Sequence, residues 1–115
     1  TSSTPVVESD WLKPGVHINN VGPKFKASHE LGMDIFQRAS QLVTDAPAQI
    51  ETYGEDFVLS GTPLAAFVKP LSEIVTRGPN ELEDDPGRRA DSISVFVSLG
   101  LAGTEVLLAK RLLDG

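Results

Sequence analysis

A short apolar run near the start of the chain constrains the fold more than any other feature. Residues 16–21 are rich in valine and isoleucine, and they lie between Pro14-Gly15 and Gly22-Pro23. Such pairs mark turns, and a bounded run of β-branched residues is typical of a strand. A polar loop and a helix start follow. An open α/β sheet forms a ligand crevice where a strand ends in this way. The sequence therefore predicts an α/β fold built around this strand.

The remainder of the chain alternates between helix and strand patterns. We predict a short helical turn over residues 8–13 that buries Trp11 and Leu12. Apolar spacing and turn signals then predict a helix over 30–39 with Ser28 as its N-cap, a strand over 41–44 and a helix over 45–53 capped by Asp45. They further predict a helix over 64–75 that Pro70 kinks or splits near residues 67–69, a strand over 92–98 and a closing helix over 102–113. The acidic segment 80–90 is predicted to be a solvated loop. Strands that alternate with helices imply a parallel sheet.

The composition argues against several classes of function. A formal net charge of −6 over 115 residues disfavours nucleic acid and anionic membrane surfaces as partners. No apolar run approaches the ~20 residues that span a bilayer. Without cysteine, the sequence has no disulfide framework and no thiolate zinc site. The first residues show neither the basic nor the apolar region of a signal peptide, so we expect a cytoplasmic protein with one domain over residues 1–115.

The usual motifs of catalysis and metal binding are absent from the sequence. It contains no G-x-S-x-G, no phosphate-binding P-loop, no H-E-x-x-H and no G-x-G-x-x-G. His17 and His29 have no second type of metal ligand at a useful spacing, and Asp84-Asp85 does not match a calcium-binding EF-hand. We therefore predict no metal site and no catalytic residue, with structural or surface roles for these side chains.

Small and polar residues are predicted to gather at one end of the sheet. They belong to residues 1–4, 20–22 and 98–100, each at a transition between strand and loop. Small-molecule crevices form at such ends. Small residues also permit tight turns without any ligand, and the residues alone favour neither interpretation.

The same segments resemble a known family. The runs TSSTPV, WLKPGVHINNVG, HEL, VTD and FVSLG, followed by a helix, are similar to the ornithine cyclodeaminase/μ-crystallin family along nearly the whole chain. The resemblance implies a partial Rossmann-like, three-layer α/β fold with a short parallel sheet of about three strands flanked by helices. The chain would correspond to the second half of the NAD(P)-binding domain and its closing C-terminal helix. Full-length members are roughly three times longer, act on amino acids or cyclic imines, and are typically dimers.

The resemblance also implies positions for a bound cofactor, either NAD or NADP. Thr1 and Ser3 would lie near the nicotinamide ribose, Val21 near the nicotinamide, and Ser98 and Leu99 across from it. These five residues are the predicted cofactor-binding set.

Three departures from the family pattern bear on activity. Lys24 stands where family cyclodeaminases place a catalytic acid, and Val97 replaces the lysine of an F-K-S-L-G motif. The glycine-rich phosphate loop and the substrate domain have no counterpart in this sequence. We therefore expect an ornithine cyclodeaminase-like protein, truncated or stand-alone, that is not catalytic alone and has at most a residual NAD(P) or small-molecule crevice.

Two alternatives stay open at this point. The chain could be a non-catalytic oligomeric interaction module, or a subunit completed in trans by an N-terminal partner chain. In each case the first strand would have an open backbone edge, and such edges pair with other strands. We therefore expect a homo-oligomer, most simply a homodimer joined through this edge.

Overall fold

The computed structural model describes residues 1–77, 92–100 and 103–115, apart from the side chain of Glu105. In chain order its regular elements are strands β1 (His17–Asn20), β2 (Lys24–Phe25) and β3 (Ser28–His29), helix α1 (Met33–Arg38), strand β4 (Ala39–Thr44), helix α2 (Pro47–Tyr53), strand β5 (Val68–Pro70), helix α3 (Leu71–Val75), strand β6 (Ile93–Val97) and helix α4 (Thr104–Leu113). Turns of 3-10 helix lie at Ser9–Trp11, Gly54–Asp56 and Pro63–Phe67. None of the described helices has the length and apolar character needed to cross a membrane.

Four strands form one parallel sheet in the order β1-β6-β4-β5. Asn20, Val97, Thr44 and Pro70 lie in one row across it, at the carboxyl ends of the four strands. β2 and β3 form a separate antiparallel pair. The predicted α/β class with a parallel sheet is therefore confirmed, with four strands where about three were expected.

The sheet has two unlike faces because side chains alternate along each strand. The inner face carries Ile18 and Asn20 of β1 and their neighbours in register, Leu42, Thr44, Val95 and Val97. The outer face carries His17, Asn19, Gln41, Val43, Ser94 and Phe96. Helix α1, helix α2 and the segment 57–59 pack on the inner face, whereas Leu71 and Ile74 of α3 approach the outer one. The sheet thus forms the middle of three layers.

The hydrophobic core lies on the inner face. Its buried members come from every layer on that side: Leu31, Ile35, Phe36, Leu42, Ala46, Phe57, Val58, Leu59, Ile93, Val95, Val97 and Leu99. Burying one large side chain of this kind contributes about 1.5–3 kcal/mol. This layer fixes the positions of the strand ends, where the polar residues of interest lie.

The strand predictions over 16–21, 41–44 and 92–98 are confirmed, and β6 shows why. Its residues Ile93, Val95 and Val97 are buried and alternate with partly exposed neighbours, which is the period of a strand. The helix predicted over 45–53 is also present as α2, with Pro47 in its first turn. The closing helix is present as α4.

The helix predicted over 64–75, kinked or split near residues 67–69, is split in the structure, and the strand between its two parts was not predicted. The chain there forms a 3-10 helix (Pro63–Phe67), then β5, then α3. Val68 and Lys69 pair with Leu42 and Val43 of β4, so backbone bonds to the sheet replace those of a continuous helix. Pro70 ends this strand and begins α3, in keeping with its missing N–H group.

The predicted helix over 30–39 is confirmed only for Met33–Arg38, and its predicted cap is wrong. Gly32 occupies the N-cap position, while Ser28 and His29 form β3. Pairing of Lys24 with His29 explains the difference, because it extends the backbone where a helix would otherwise start.

The predicted burial of Trp11 is also wrong. Its side chain is 68% exposed, although the 3-10 turn that holds it is present and Leu12 packs against the core. Helix α4 is amphipathic in sequence, but Leu112 and Leu113 are more than 80% exposed. The acidic segment 80–90 lies outside the described residues.

Candidate functional site at the carboxyl edge

The carboxyl ends of β1, β4 and β6 meet at one edge of the sheet. Val21 follows β1, Asp45 follows β4, and Ser98 follows β6. The backbone N–H of Ser98 donates to the carbonyl of Asn20 at 3.0 Å, which continues the pairing of β1 with β6 by one residue. The turn 98–100 therefore starts from a fixed position beside the end of β1.

The carboxylate of Asp45 holds this turn. Its Oδ1 accepts the backbone N–H of Leu99 at 2.8 Å, and its Oδ2 accepts the hydroxyl of Ser98 at 3.2 Å and the N–H of Gly100 at 3.3 Å. The prediction that Asp45 caps α2 is therefore wrong. Ala46 holds the N-cap position without a side-chain hydrogen bond, which leaves the Asp45 carboxylate for the neighbouring strand.

Lys24 joins the turn to β1 from the other side. Its ammonium donates to the carbonyl of Ser98 and, at 3.4 Å, to the carbonyl of Val21. The side chain is buried, so these bonds replace the water that would otherwise solvate its charge. Burial lowers the pKa of Lys24 below its ordinary 10.5, and the carboxylates of Asp45 and Glu30 oppose that shift. Lys24 thus lies among two carbonyls and two acids at the centre of the edge.

Glu30 brings the N-terminal residues to the same place. Its Oε1 accepts the N–H of Ser2 at 2.9 Å and lies 3.6 Å from the nitrogen of Thr1. A Cβ atom at Gly22 would collide with this carboxylate, so the close approach of Glu30 requires glycine there. The carbonyl of Ser3 accepts the N–H of His29 at 3.3 Å. The N-terminal segment is thereby fastened next to the end of β1.

The structure ties four of the five predicted site residues, Thr1, Val21, Ser98 and Leu99, to one charged cluster, whereas Ser3 bonds, among the described residues, only the N–H of His29 beside it. Val21 and Ser98 are bridged by Lys24, and Thr1 is linked to the same cluster through Glu30. The side chain of Leu99 is buried in the core at 7% exposure, and its backbone N–H and carbonyl bond Asp45 and Tyr53. The side chain of Val21 is 70% exposed. Their role in cofactor binding stays a prediction.

Sequence reasoning singled out Lys24 but did not predict the long-range bonds that build this edge. Asp45 and Lys24 are 53 and 74 residues away from Ser98, so no local pattern links them. Tyr53 was missed as well: its hydroxyl donates to the carbonyl of Leu99 at 3.5 Å, and its ring meets that of Phe25 edge-on. Only the rule that parallel strands end together could have indicated Asp45 as a neighbour.

Asn20 is the most unusual group near this edge. The residue is 2% exposed, and neither its amide nitrogen nor its amide oxygen has a hydrogen-bond partner among the described residues. It lies on the inner face, where Val97 of β6 separates it from buried Thr44 of β4. Burying an amide without a partner costs free energy, so we expect an apolar residue to be more stable than asparagine at this position.

A second concave region lies on the outer face. It is a groove of about 310 Å³ lined by His17, Asn19, Gln41, Val43, Leu71, Ile74 and Phe96. The imidazole of His17 bonds the hydroxyl of Ser94 at 2.8 Å and the side-chain oxygen of Asn19 at 3.2 Å. In the part of the chain that the structure describes, no three histidine, aspartate or glutamate side chains are grouped to hold a metal ion.

Comparison with known proteins decides the family. The family model described as ornithine cyclodeaminase/mu-crystallin matches residues 1–114. The chain belongs to this family. Its matched segment includes every residue of the carboxyl edge described above, and the predicted family is thus confirmed.

Three similar proteins show how much of the family this chain represents. Ketimine reductase mu-crystallin of Macropus fuliginosus is 32% identical over 113 residues, which are 98% of this chain and 32% of that protein. The mouse protein of the same name is 28% identical over 113 residues, or 98% and 33% of the two chains. Alanine dehydrogenase of Archaeoglobus fulgidus is 32% identical over 110 residues, or 95% and 33%. The chain spans about a third of the length of these relatives.

A solved structure agrees with the fold. The crystal structure of a probable ornithine cyclodeaminase from Bordetella pertussis Tohama I matches with a TM-score of 0.73 and 24% sequence identity. The match covers 94% of this chain and 34% of that one. The predicted fold class is therefore confirmed by a family structure as well as by the parallel sheet itself.

Proposed function

We propose that this chain is an ornithine cyclodeaminase-like protein, truncated or stand-alone, that does not catalyse the family reaction by itself. The observation that supports it is the environment of Lys24, which occupies the position where the family resemblance places a catalytic acid. A general acid or base must exchange a proton with the substrate within hydrogen-bond reach. Lys24 is buried and donates to the carbonyls of Val21 and Ser98. It holds the backbone together and offers no carboxylate.

The carboxyl edge suits only one part of NAD(P). Val21 is 70% exposed and gives an apolar surface to a flat ring. The N–H groups of Leu99 and Gly100 already bond Asp45, and the sequence has no glycine-rich phosphate loop. The residues present thus fit a nicotinamide ring and do not fit a pyrophosphate. We therefore propose a weak, residual crevice for NAD(P) or a similar small molecule, in which Val21 meets the ring.

Titration of NADH and NADPH tests this proposal. Trp11 is a poor reporter, because it lies at the end of the sheet opposite the carboxyl edge. Arg38, which directly precedes β4, donates to the carbonyls of Ser9 and Leu12 on either side of Trp11 and so places it near the amino ends of the strands. The emission and anisotropy of NADH itself should be followed instead. We expect a saturable rise with the unaltered chain and about tenfold weaker binding for Val21→Asp.

Val75→Asp is the matched control for this titration. Val75 is 69% exposed and lies in α3, on the other face of the sheet, so the same substitution there should leave NADH binding unchanged. Folded protein that gives no saturable change contradicts the proposed crevice. Binding that appears only after an N-terminal partner chain is added would support completion in trans.

A second candidate function is a non-catalytic interaction module, and helix α4 favours it. Val106, Leu108, Leu112 and Leu113 are each more than 60% exposed. Apolar side chains grouped on an exposed helix mark a contact surface. If the chain is an interaction module, we expect a stable oligomer or complex that does not bind NADH. The NADH titration above therefore separates this function from the proposed NAD(P) crevice.

We further propose a homodimer joined through β1. This strand lies at the end of the sheet order, and no described strand pairs with its outer edge. An open edge of this kind pairs readily with a second copy, and a two-fold axis would close the contact. Sedimentation velocity at micromolar concentration should show a dimer, and a purely monomeric species would contradict the proposal. The cytoplasmic location stays a prediction.

A further inference from the structure

The turn 98–100 has an unusual number of hydrogen bonds to one side chain. From this turn the Asp45 carboxylate accepts two backbone N–H groups, of Leu99 and Gly100, and the hydroxyl of Ser98; the hydroxyl of Thr44 also donates to it at 3.4 Å. The turn's carbonyls are also bonded, that of Ser98 by Lys24 and that of Leu99 by Tyr53 at 3.5 Å.

The backbone conformation of this turn explains why its donors converge. Gly100 has a φ of 83°, in the left-handed region that glycine adopts readily. Successive N–H groups around such a residue point to one side and form a concavity that binds anions. In P-loops and many phosphate sites the anion belongs to a bound ligand. Here the concavity holds the carboxylate of Asp45 at 2.8–3.3 Å.

We infer that residues 98–100 form an anion-binding turn whose anion is the side chain of Asp45, so that Asp45 sets the ligand specificity of this edge. A ligand that meets the turn must present a neutral or cationic group, because phosphate and carboxylate groups find the donors occupied and a negative charge in place. The inference rests on the proposed crevice for its biological meaning, since it names the class of group that this crevice accepts.

The surrounding charges act in the same direction. Lys24 brings one positive charge to the edge, and its pKa is influenced by two carboxylates, Asp45 and Glu30. The ammonium of Lys24 donates to two backbone carbonyls, which reduces what it offers to an incoming anion. An anion approaching the turn therefore meets one shielded cation and two acids, whereas a neutral or cationic ring is not repelled.

Inorganic phosphate is the probe that tests the inference directly. Two-dimensional amide NMR spectra of the full chain should be recorded during a phosphate titration at constant ionic strength. We expect no saturable shift of the Leu99 and Gly100 amides in the unaltered chain. In Asp45→Asn the charge is lost, and the same two amides should shift saturably, with affinity about tenfold higher than any binding by the unaltered chain.

Asp56→Asn is the matched control, because it removes one exposed carboxylate that lies outside the turn. It should respond to phosphate like the unaltered chain. Phosphate that shifts the two amides equally in the unaltered chain and in Asp45→Asn overturns the inference, and so does a folded Asp45→Asn that shows no shift. A merely structural role for Asp45 would lower stability without creating phosphate binding.

The NADH titration separates the two proposals. If the unaltered chain fails to bind NADH but Asp45→Asn gains phosphate binding, the proposed crevice is wrong and the anion-binding turn stands. If NADH binds to the unaltered chain and phosphate never distinguishes the variants, the crevice stands and the role of Asp45 is wrong.

Discussion

Replacing Asn20 by leucine should stabilise this protein. Asn20 is 2% exposed, and both polar atoms of its amide lack a partner among the described residues. An unsatisfied buried polar group costs about 1–3 kcal/mol, and an apolar group of similar shape avoids that cost. Leucine has the same number of side-chain heavy atoms with the same branching at Cγ, and it joins Val97 on the apolar inner face. We therefore expect the free energy of unfolding to rise by about 1–3 kcal/mol.

Thermal and urea unfolding followed by circular dichroism would measure this change. For a domain of this size, 1 kcal/mol corresponds to about 4 °C in melting temperature, so Asn20→Leu should melt several degrees higher. Asn19→Leu is the matched control, since Asn19 is the preceding residue of the same strand, is exposed and lies on the outer face, where the bond of its side chain to His17 is also exposed. Its stability should change by no more than about 0.5 kcal/mol.

A destabilised Asn20→Leu would refute the reasoning. A loss of more than about 1 kcal/mol, with Asn19→Leu unchanged, would mean that the Asn20 amide is hydrogen-bonded in solution. The bonded group would then lie at the carboxyl edge, and Asn20 would have to be counted among the residues that build the site.

Three further predictions concern other parts of the chain. Gly22→Ala should cost about 1 kcal/mol in urea unfolding, because its Cβ displaces the Glu30 carboxylate from the N-terminal segment; an unchanged midpoint would contradict this. The folded-state pKa of Lys24 is lowered, so between that value and 10.5 the unfolded chain binds more protons and stability should rise with pH. Lys24→Met should lack this rise when unfolding curves of the two proteins are compared, and parallel pH profiles would disprove it. Leu112→Glu should change stability by less than about 0.5 kcal/mol at 82% exposure, whereas buried Leu59→Ala should cost about 2–5 kcal/mol; similar losses in both would show that α4 packs on the fold.

Much of the fold could be predicted from short-range patterns. The alternation of Ile93, Val95 and Val97 and the Pro-Gly boundaries of β1 identify strands because burial on one face imposes a period of two. The strand at Val68–Pro70 was not predicted, because the same kind of apolar spacing was misleading there. A 3-10 helix and α3 flank a strand of three residues, and together they imitate the apolar spacing of one helix. Pairing with β4, which no local pattern reveals, decides the outcome.

The candidate site could be predicted only in part. Val21 and Ser98 could be placed side by side because parallel strands end at a common edge, whereas their role in cofactor binding came from the family resemblance. The role of Asp45 was missed because its position before Pro47 looks like a helix cap, although long-range bonds to the turn after β6 hold its carboxylate. Burial and geometry decide whether a charged side chain bonds a local or a distant partner, and neither can be seen in a sequence.

The three charged groups of this edge have a common consequence for chemistry. Lys24, Asp45 and Glu30 each bond backbone groups from a distant part of the chain, so each closes a gap between segments. Moving a proton to or from one of these groups would weaken the bonds that it makes, and a hydrogen bond to a charged group contributes about 1.5–3 kcal/mol. That loss opposes proton transfer at Lys24, Asp45 and Glu30. We therefore expect these positions to act by holding the backbone rigid beside a bound ring, in line with the function proposed above.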